Sequence, residues 1–173
     1  MANRLQFIKS QKVTGEVSSI NVDNVFSDAY NVYFVTVSRF STVGTTQTRL
    51  NMRYIDSSGS VESSTTYDCA LLRMPDSGGF TEVNKEDEAT YHQYCQIDQS
   101  PESAALSIFI YNPYDSNTYT FQTWDMTSAN VGKAEIEKGC AVEKTTQSYR
   151  GFQILEISSR PFNSGKISVY GVK

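Results

Sequence analysis

The run Ser27–Thr42, SDAYNVYFVTVSRFST, is the most emphatic stretch of this 173-residue chain. From Tyr30 to Val37 it holds two Tyr, one Phe and three Val, with no Gly, no Pro and no charge. β-Branched and aromatic residues suit a pleated, packed surface, so the run predicts a strand. Parity sets Tyr30, Val32, Phe34 and Thr36 on one face and Asn31, Tyr33, Val35 and Val37 on the other. A strand covered on one side only should alternate apolar with polar, and here both sides are largely apolar. The run therefore predicts cover on both faces. One face is core. The other packs under the N-terminal segment, a long connection or another subunit. Tyr33 and Val35 become candidate contact residues on that second face, each large side chain contributing roughly 1.5–3 kcal/mol when buried.

Period-2 alternation recurs outward from this strand, and helical periodicity hardly appears. Leu50, Met52 and Tyr54 oppose Asn51 and Arg53. Ile108 and Ile110 oppose Ser107 and Phe109. Tyr119 and Phe121 oppose Gln122 and Trp124. Phe152 and Ile154 oppose Gln153 and Leu155, and Ile167 and Val169 oppose Ser168 and Tyr170. Turn signals separate the runs: DSSGS at 56–60, PDSGG at 75–79, NPYDSN at 112–117 and PFNSG at 161–165. Short strands divided by polar turns predict an all-β fold, an antiparallel two-sheet sandwich of jelly-roll type with roughly 8–10 strands. A single domain over residues 1–173 is expected, with residues 1–14 an arm or edge strand. At most one short helix is expected, at NKEDEATYHQY. There Asn84 could cap an acidic first turn; the alternative is an acidic loop leading into a strand at Tyr91–Ile97. Thr127–Lys144 alternates weakly and predicts a long sheet-crossing connection.

Charged residues make up 20% and the net charge is −4. Without a Lys/Arg cluster there is no electrostatic footprint for nucleic acid. No run reaches the roughly 20 apolar residues of a spanning helix, and the first residues lack a secretory apolar core. Folding in a cytoplasm, with no membrane partner, is the expectation. Cys69, Cys95 and Cys140 are odd in number, with no C-x-x-C pair, and are expected as free thiols. A Cys69–Cys95 bridge stays open if their strands pair.

Chemistry is sparse. The only histidine, His92, excludes two-histidine metal sites and is expected to be a structural strand residue. There is no phosphate loop and no G-x-S-x-G elbow. The carboxylates Glu86–Asp87–Glu88 are contiguous, as in a solvated loop. No catalytic residue, cofactor or metal is therefore expected, and the chain is not expected to be an enzyme. Aromatics reach 12%. Tyr111, Tyr114, Tyr119 and Trp124 gather around one turn, a composition suited to recognition because tyrosine offers area with little entropy to lose. Tyr111, Tyr114 and Trp124 are candidate partner or glycan contacts, with Tyr119 and Phe121 assigned to the core.

Several stretches together carry a resemblance: FIKSQKVTGEVSSINVDNVFSDAYNVYFVTVSRF, then LNMRYIDSSGSV, ALSIFIYNPYDSNTYTF and the closing NSGKISVYGVK. The chain resembles small β-sandwich virion proteins of tailed bacteriophages of marine type. In these a Y-x-x-Y aromatic strand is followed by a D-x-x-G turn, and the chain closes on G-x-I-x-L/V-Y-G. The resemblance implies a capsid decoration (cement) protein, with a tail-fibre or tail-tip module as the alternative. It also implies the major capsid protein or another virion protein as partner, a dimer or trimer or lattice-bound copies, and location in the virion. It implies no catalytic residues.

Overall fold

Alternation becomes strand wherever one parity class can be buried. The computed structural model describes residues 4–44, 48–89, 91–97, 103–130 and 133–173, and these contain no helix. Twelve strands form among them: β1 (Leu5–Lys12), β2 (Ser19–Val22), β3 (Val32–Thr42), β4 (Thr48–Asp56), β5 (Tyr67–Pro75), β6 (Thr81–Ala89), β7 (His92–Ile97), β8 (Ala104–Tyr111), β9 (Thr120–Asn130), β10 (Lys133–Glu143), β11 (Tyr149–Leu155) and β12 (Phe162–Val172). This exceeds the eight to ten expected. The additional strands come from segments whose polar sequence hides them.

Two antiparallel sheets pack as a sandwich of jelly-roll type. The larger has eight strands in the order β1-β12-β3-β8-β9-β10-β5-β6, and the smaller has four, β2-β11-β4-β7. The opening stretch is β3, near the middle of the large sheet. Its Tyr33, Val35 and Val37 are buried against the small sheet's Tyr54, Met52 and Phe152, within one continuous core. Phe26 sits edge-on to Tyr33 at 4.7 Å, and the Tyr33 hydroxyl donates to the Ser27 carbonyl at 2.8 Å. Such T-shaped pairs add to the area that the rings bury.

β1 lies in the plane of the large sheet, paired with β12 from Leu5↔Val172 to Lys12↔Lys166, so of the two alternatives for the N-terminal residues it is the edge strand. Three expectations are corrected here. NKEDEA lies in strand β6, neither helix nor loop, paired with β5 from Arg73↔Thr81 to Tyr67↔Ala89. Thr127–Lys144 is no connection: it spans the ends of β9 and β10, which form a long hairpin in register from Lys133↔Asn130 to Glu143↔Thr120. PFNSG is not a turn. Phe162 is buried, and the segment is the bulged start of β12 on β3. The other three turn signals do mark chain reversals. In DSSGS the Ser60 amide donates to the Asp56 carboxylate at 2.8 Å, with Gly59 at φ 93°.

Candidate interaction surface

Three of the five candidate contacts are core. Tyr33 and Val35 are fully buried and Trp124 is 1% exposed. Parity separated the two faces of β3 correctly, but the contact face was chosen the wrong way round. Val32, Phe34 and Thr36 point outward and are half-buried. Tyr111 is half-buried on the outer face of β8, and Tyr114 is 41% exposed in the β8–β9 loop. Tyr119 and Phe121, assigned to the core, are exposed, while Gln122 and Trp124 take the inward positions.

The outer face of the large sheet is where apolar surface collects. One cross-strand row visits all eight strands: Phe7, Tyr170, Phe34, Phe109, then Thr123, Cys140, Ala70 and Asn84. Its first half is a ridge of touching rings. Phe7–Tyr170, Tyr170–Phe34 and Phe34–Phe109 lie 5.7, 6.3 and 4.8 Å apart. Its second half is small, and a shallow hollow of ≈ 470 Å³ opens there between Ala70, Thr123 and Cys140, walled by Phe121 and Val142. Phe7 is 53% exposed, Phe109 40% and Phe121 45%. The neighbouring row continues the apolar band through Leu5, Val172, Val32, Tyr111, Phe121 and Val142.

β10 explains why the band is apolar. Its alternation is inverted: Glu135, Glu137 and Glu143 point inward and are buried, while Ile136, Cys140 and Val142 point outward. Each inward carboxylate has partners. Arg73 Nε lies 2.9 Å from Glu135, and the Trp124 indole N–H donates to Glu137 at 3.3 Å. The hydroxyls of Tyr149 and Thr145 donate to Glu143. Burial pushes the Glu137 carboxyl up to about 7, against the pull of Trp124 and Arg73. Nearby, Tyr54 and Tyr94 both donate to Gln122 Oε1, at 3.3 and 3.1 Å. His92 is buried between the rings of Tyr54 and Tyr67, each edge-on at 85°. Neither of its ring nitrogens has a hydrogen-bond partner among the described residues, and burial pushes its pKa down to about 3. The Glu143–Tyr149, Gln122–Tyr54, Gln122–Tyr94 and His92–Tyr67 contacts cross between the two sheets.

Two further features lie at opposite ends of the sandwich. The tip of the β5–β6 hairpin presents Phe80, 74% exposed, next to Gly78 and Gly79 at φ 87° and 83°. At the other end Tyr30 and Tyr114 flank a hollow of ≈ 220 Å³ that also meets Asp28, Asn31, Asn112 and Asp115. Cys69, buried, and Cys140, exposed, are not in disulfides, and the side chain of Cys95 lies outside the described residues. The described residues contain no cluster of three metal-ligating side chains.

Sequence reasoning missed the outer band because it assigned the apolar parity class of each strand to the core. The signal that locates it is KAEIEKGCAVE, in which acids and apolar residues alternate. The acids take the inside because Arg73, Trp124 and Tyr149 partner them there. Comparison with protein-family models, curated proteins and solved structures gave no match.

Proposed function

We propose that this chain is a structural virion protein of a tailed bacteriophage. Its role is that of a capsid decoration protein, which stabilises the assembled head by binding alone. One observation carries the reading: the ladder-paired large sheet exposes an aromatic band on its outer face and Phe80 at one hairpin tip, while His92 and the carboxylates of Glu135, Glu137 and Glu143 are buried. Surface of that kind suits docking onto protein rather than chemistry on a small molecule. The resemblance of the Ser27–Thr42 strand and the NSGKISVYGVK terminus to phage β-sandwich proteins supplies the virion context. The partner is then the major capsid protein or another virion protein, and the chain is made in the host cytoplasm before it joins the particle.

Binding that exists only on the assembled head stabilises that head by mass action, and a lattice multiplies a small contribution per copy. Phe80 is the side chain best placed to anchor such a contact. Large aromatics dominate interface energetics when a partner pocket desolvates them. The test is addition of the purified protein to heads that lack it. Saturable binding and raised heat resistance of the heads are expected, with Phe80→Ser weakening binding at least about tenfold. A protein that ignores heads, or heads no more resistant once coated, would overturn the reading.

A specific observation favours a second reading, a glycan-binding module of a tail fibre or tail tip. The hollow at Tyr30 and Tyr114 combines aromatic faces with the carboxylates Asp28 and Asp115 and the amides Asn31 and Asn112. Sugar rings stack on such faces while carboxylates and amides take their hydroxyls. Polysaccharide binding lost in Tyr114→Ala, with no affinity for heads, would establish this reading in place of the first. A turnover abolished by replacing one carboxylate would remove both.

A further inference from the structure

We propose that the outer face of the eight-stranded sheet is a self-complementary docking surface whose occupant is a second copy of this chain, the aromatic ridge of each copy seated in the hollow of the other. The inference rests on the register and stands apart from the virion reading. The ridge (Phe7, Tyr170, Phe34, Phe109) and the small half-row (Thr123, Cys140, Ala70, Asn84) occupy one line, four strands each, and they meet between β8 and β9. A two-fold axis parallel to the strands and passing through that point exchanges the two halves. Phe109 then lies over Thr123 of the second copy, Phe34 over its Cys140, Tyr170 over its Ala70 and Phe7 over its Asn84. In this row every large side chain meets a small one, while in the neighbouring row Tyr111 meets Phe121 of the second copy as an aromatic pair across the axis.

Charge agrees with shape. Lys12 and Lys166 stand at the β1–β12 end, and Glu82 and Glu86 on β6 stand at the other. The same rotation carries the basic end of each copy over the acidic end of its mate. The area is sufficient. Eight strands at about 4.8 Å and four rows of side chains give a face of about 33 by 27 Å, close to 900 Å². A standard interface uses roughly 800 Å² per partner. Packing two sheet faces in near alignment is itself a common arrangement. The inverted strand β10 fits the same account: it holds three glutamates inside while Ile136 and Val142 face out, where only an outside occupant can cover them.

The experiment is the mass of the isolated protein by sedimentation and light scattering, followed by a register-specific cross-link. A species of twice 19.4 kDa is expected. Phe109→Ser on the ridge and Ala70→Arg in the hollow should each raise the dissociation constant at least about tenfold, with circular dichroism unchanged and the melting temperature lowered as the dimer's contribution is lost. Phe34 and Cys140 are three strands apart within one chain, about 14 Å, too far for a disulfide. Across the two-fold they are neighbours. Packed sheet faces stand about 10 Å apart, so a short bis-maleimide rather than direct oxidation should join Phe34→Cys to Cys140 of the second copy as a covalent dimer, lost when Cys140→Ser is added. A protein still monomeric at about 100 µM overturns the proposal. So does a dimer insensitive to both surface variants, which would pair through the edges of β1 or β6. Protection of the band on phage heads alone, with no dimer, would assign the face to a virion partner and equally overturn it.

Discussion

His92 and Glu137 both lie in the buried layer between the sheets, and their titrations oppose each other. The pKa of His92 in the fold is about 3, below its ordinary 6.5. The unfolded chain thus binds a proton that the native state refuses, and stability falls as pH drops below 6.5, by up to about 1.4 kcal/mol per unit. Glu137 runs the other way. Its folded pKa of about 7 exceeds the ordinary 4.5, so the native state keeps a proton that the unfolded chain has released. Its contribution is fully present below 4.5 and is lost as pH rises through 7. Between pH 4.5 and 6.5 the two slopes offset each other. His92→Phe, which fills the slot between Tyr54 and Tyr67 without a titrating ring, should expose the glutamate slope, so that stability falls with rising pH across that interval. Glu137→Gln keeps an acceptor for the Trp124 indole N–H and should expose the histidine slope instead. Urea melts at pH 5, 6 and 7 measure both. Parallel profiles for wild type and the two variants would mean that neither group is buried as described.

At the scale of the strand, a recurring device is an aromatic ring laid over a strand glycine. Gly139 on β10 pairs directly with Trp124 on β9, and a Cβ there would come within 2.2 Å of the indole. Phe40 covers Gly165 and Tyr30 covers Gly171 in the same way. A glycine weakens a strand by entropy and missing contact, and the ring restores the contact. Gly139→Ala should therefore destabilise by about 1–3 kcal/mol through overpacking. Because Trp124 is the only tryptophan, its emission should shift to the red as the ring is displaced. An unshifted spectrum with unchanged stability would contradict the close contact. The same device marks the limit of legibility. The strands with apolar alternation, β3, β4, β8, β11 and β12, are readable from sequence because burial follows parity. β9 reads with the wrong face inward: Gln122 is held by two tyrosine hydroxyls and Trp124 by Glu137, partners that only tertiary structure brings together. β6 reads as helix or loop and β10 as a connection because acids and a glycine occupy positions whose compensation comes from β5 and β9. The candidate site suffered likewise. Trp124 reads as a contact because it gathers with three tyrosines around one turn, whereas its ring packs inward over Gly139.

At the scale of the molecule, eight strands against four leave one broad face without an internal layer, and the proposed two-fold gives that face a definite consequence. An axis parallel to the strands exchanges the two edges of the sheet but preserves direction along it. Both β5–β6 hairpin tips, each carrying Phe80, then project from the same end of the dimer. Both Tyr30–Tyr114 hollows project from the other. A dimer of that shape meets a repeating surface with two anchors at once, and the second contact forms at the high effective concentration set by the first. On the decoration reading, two variants should therefore behave differently. Phe80→Ser should leave the protein dimeric and weaken each contact with the head. Phe109→Ser should leave each Phe80 contact intact but separate the anchors, lowering apparent affinity for heads by about 10²-fold while affinity for an isolated capsid subunit stays the same. Binding isotherms on whole heads and on dissociated subunits, run with both variants, distinguish these outcomes. Equal losses on both targets for Phe109→Ser would mean that the outer face itself touches the capsid, and the dimer would then not be the binding unit.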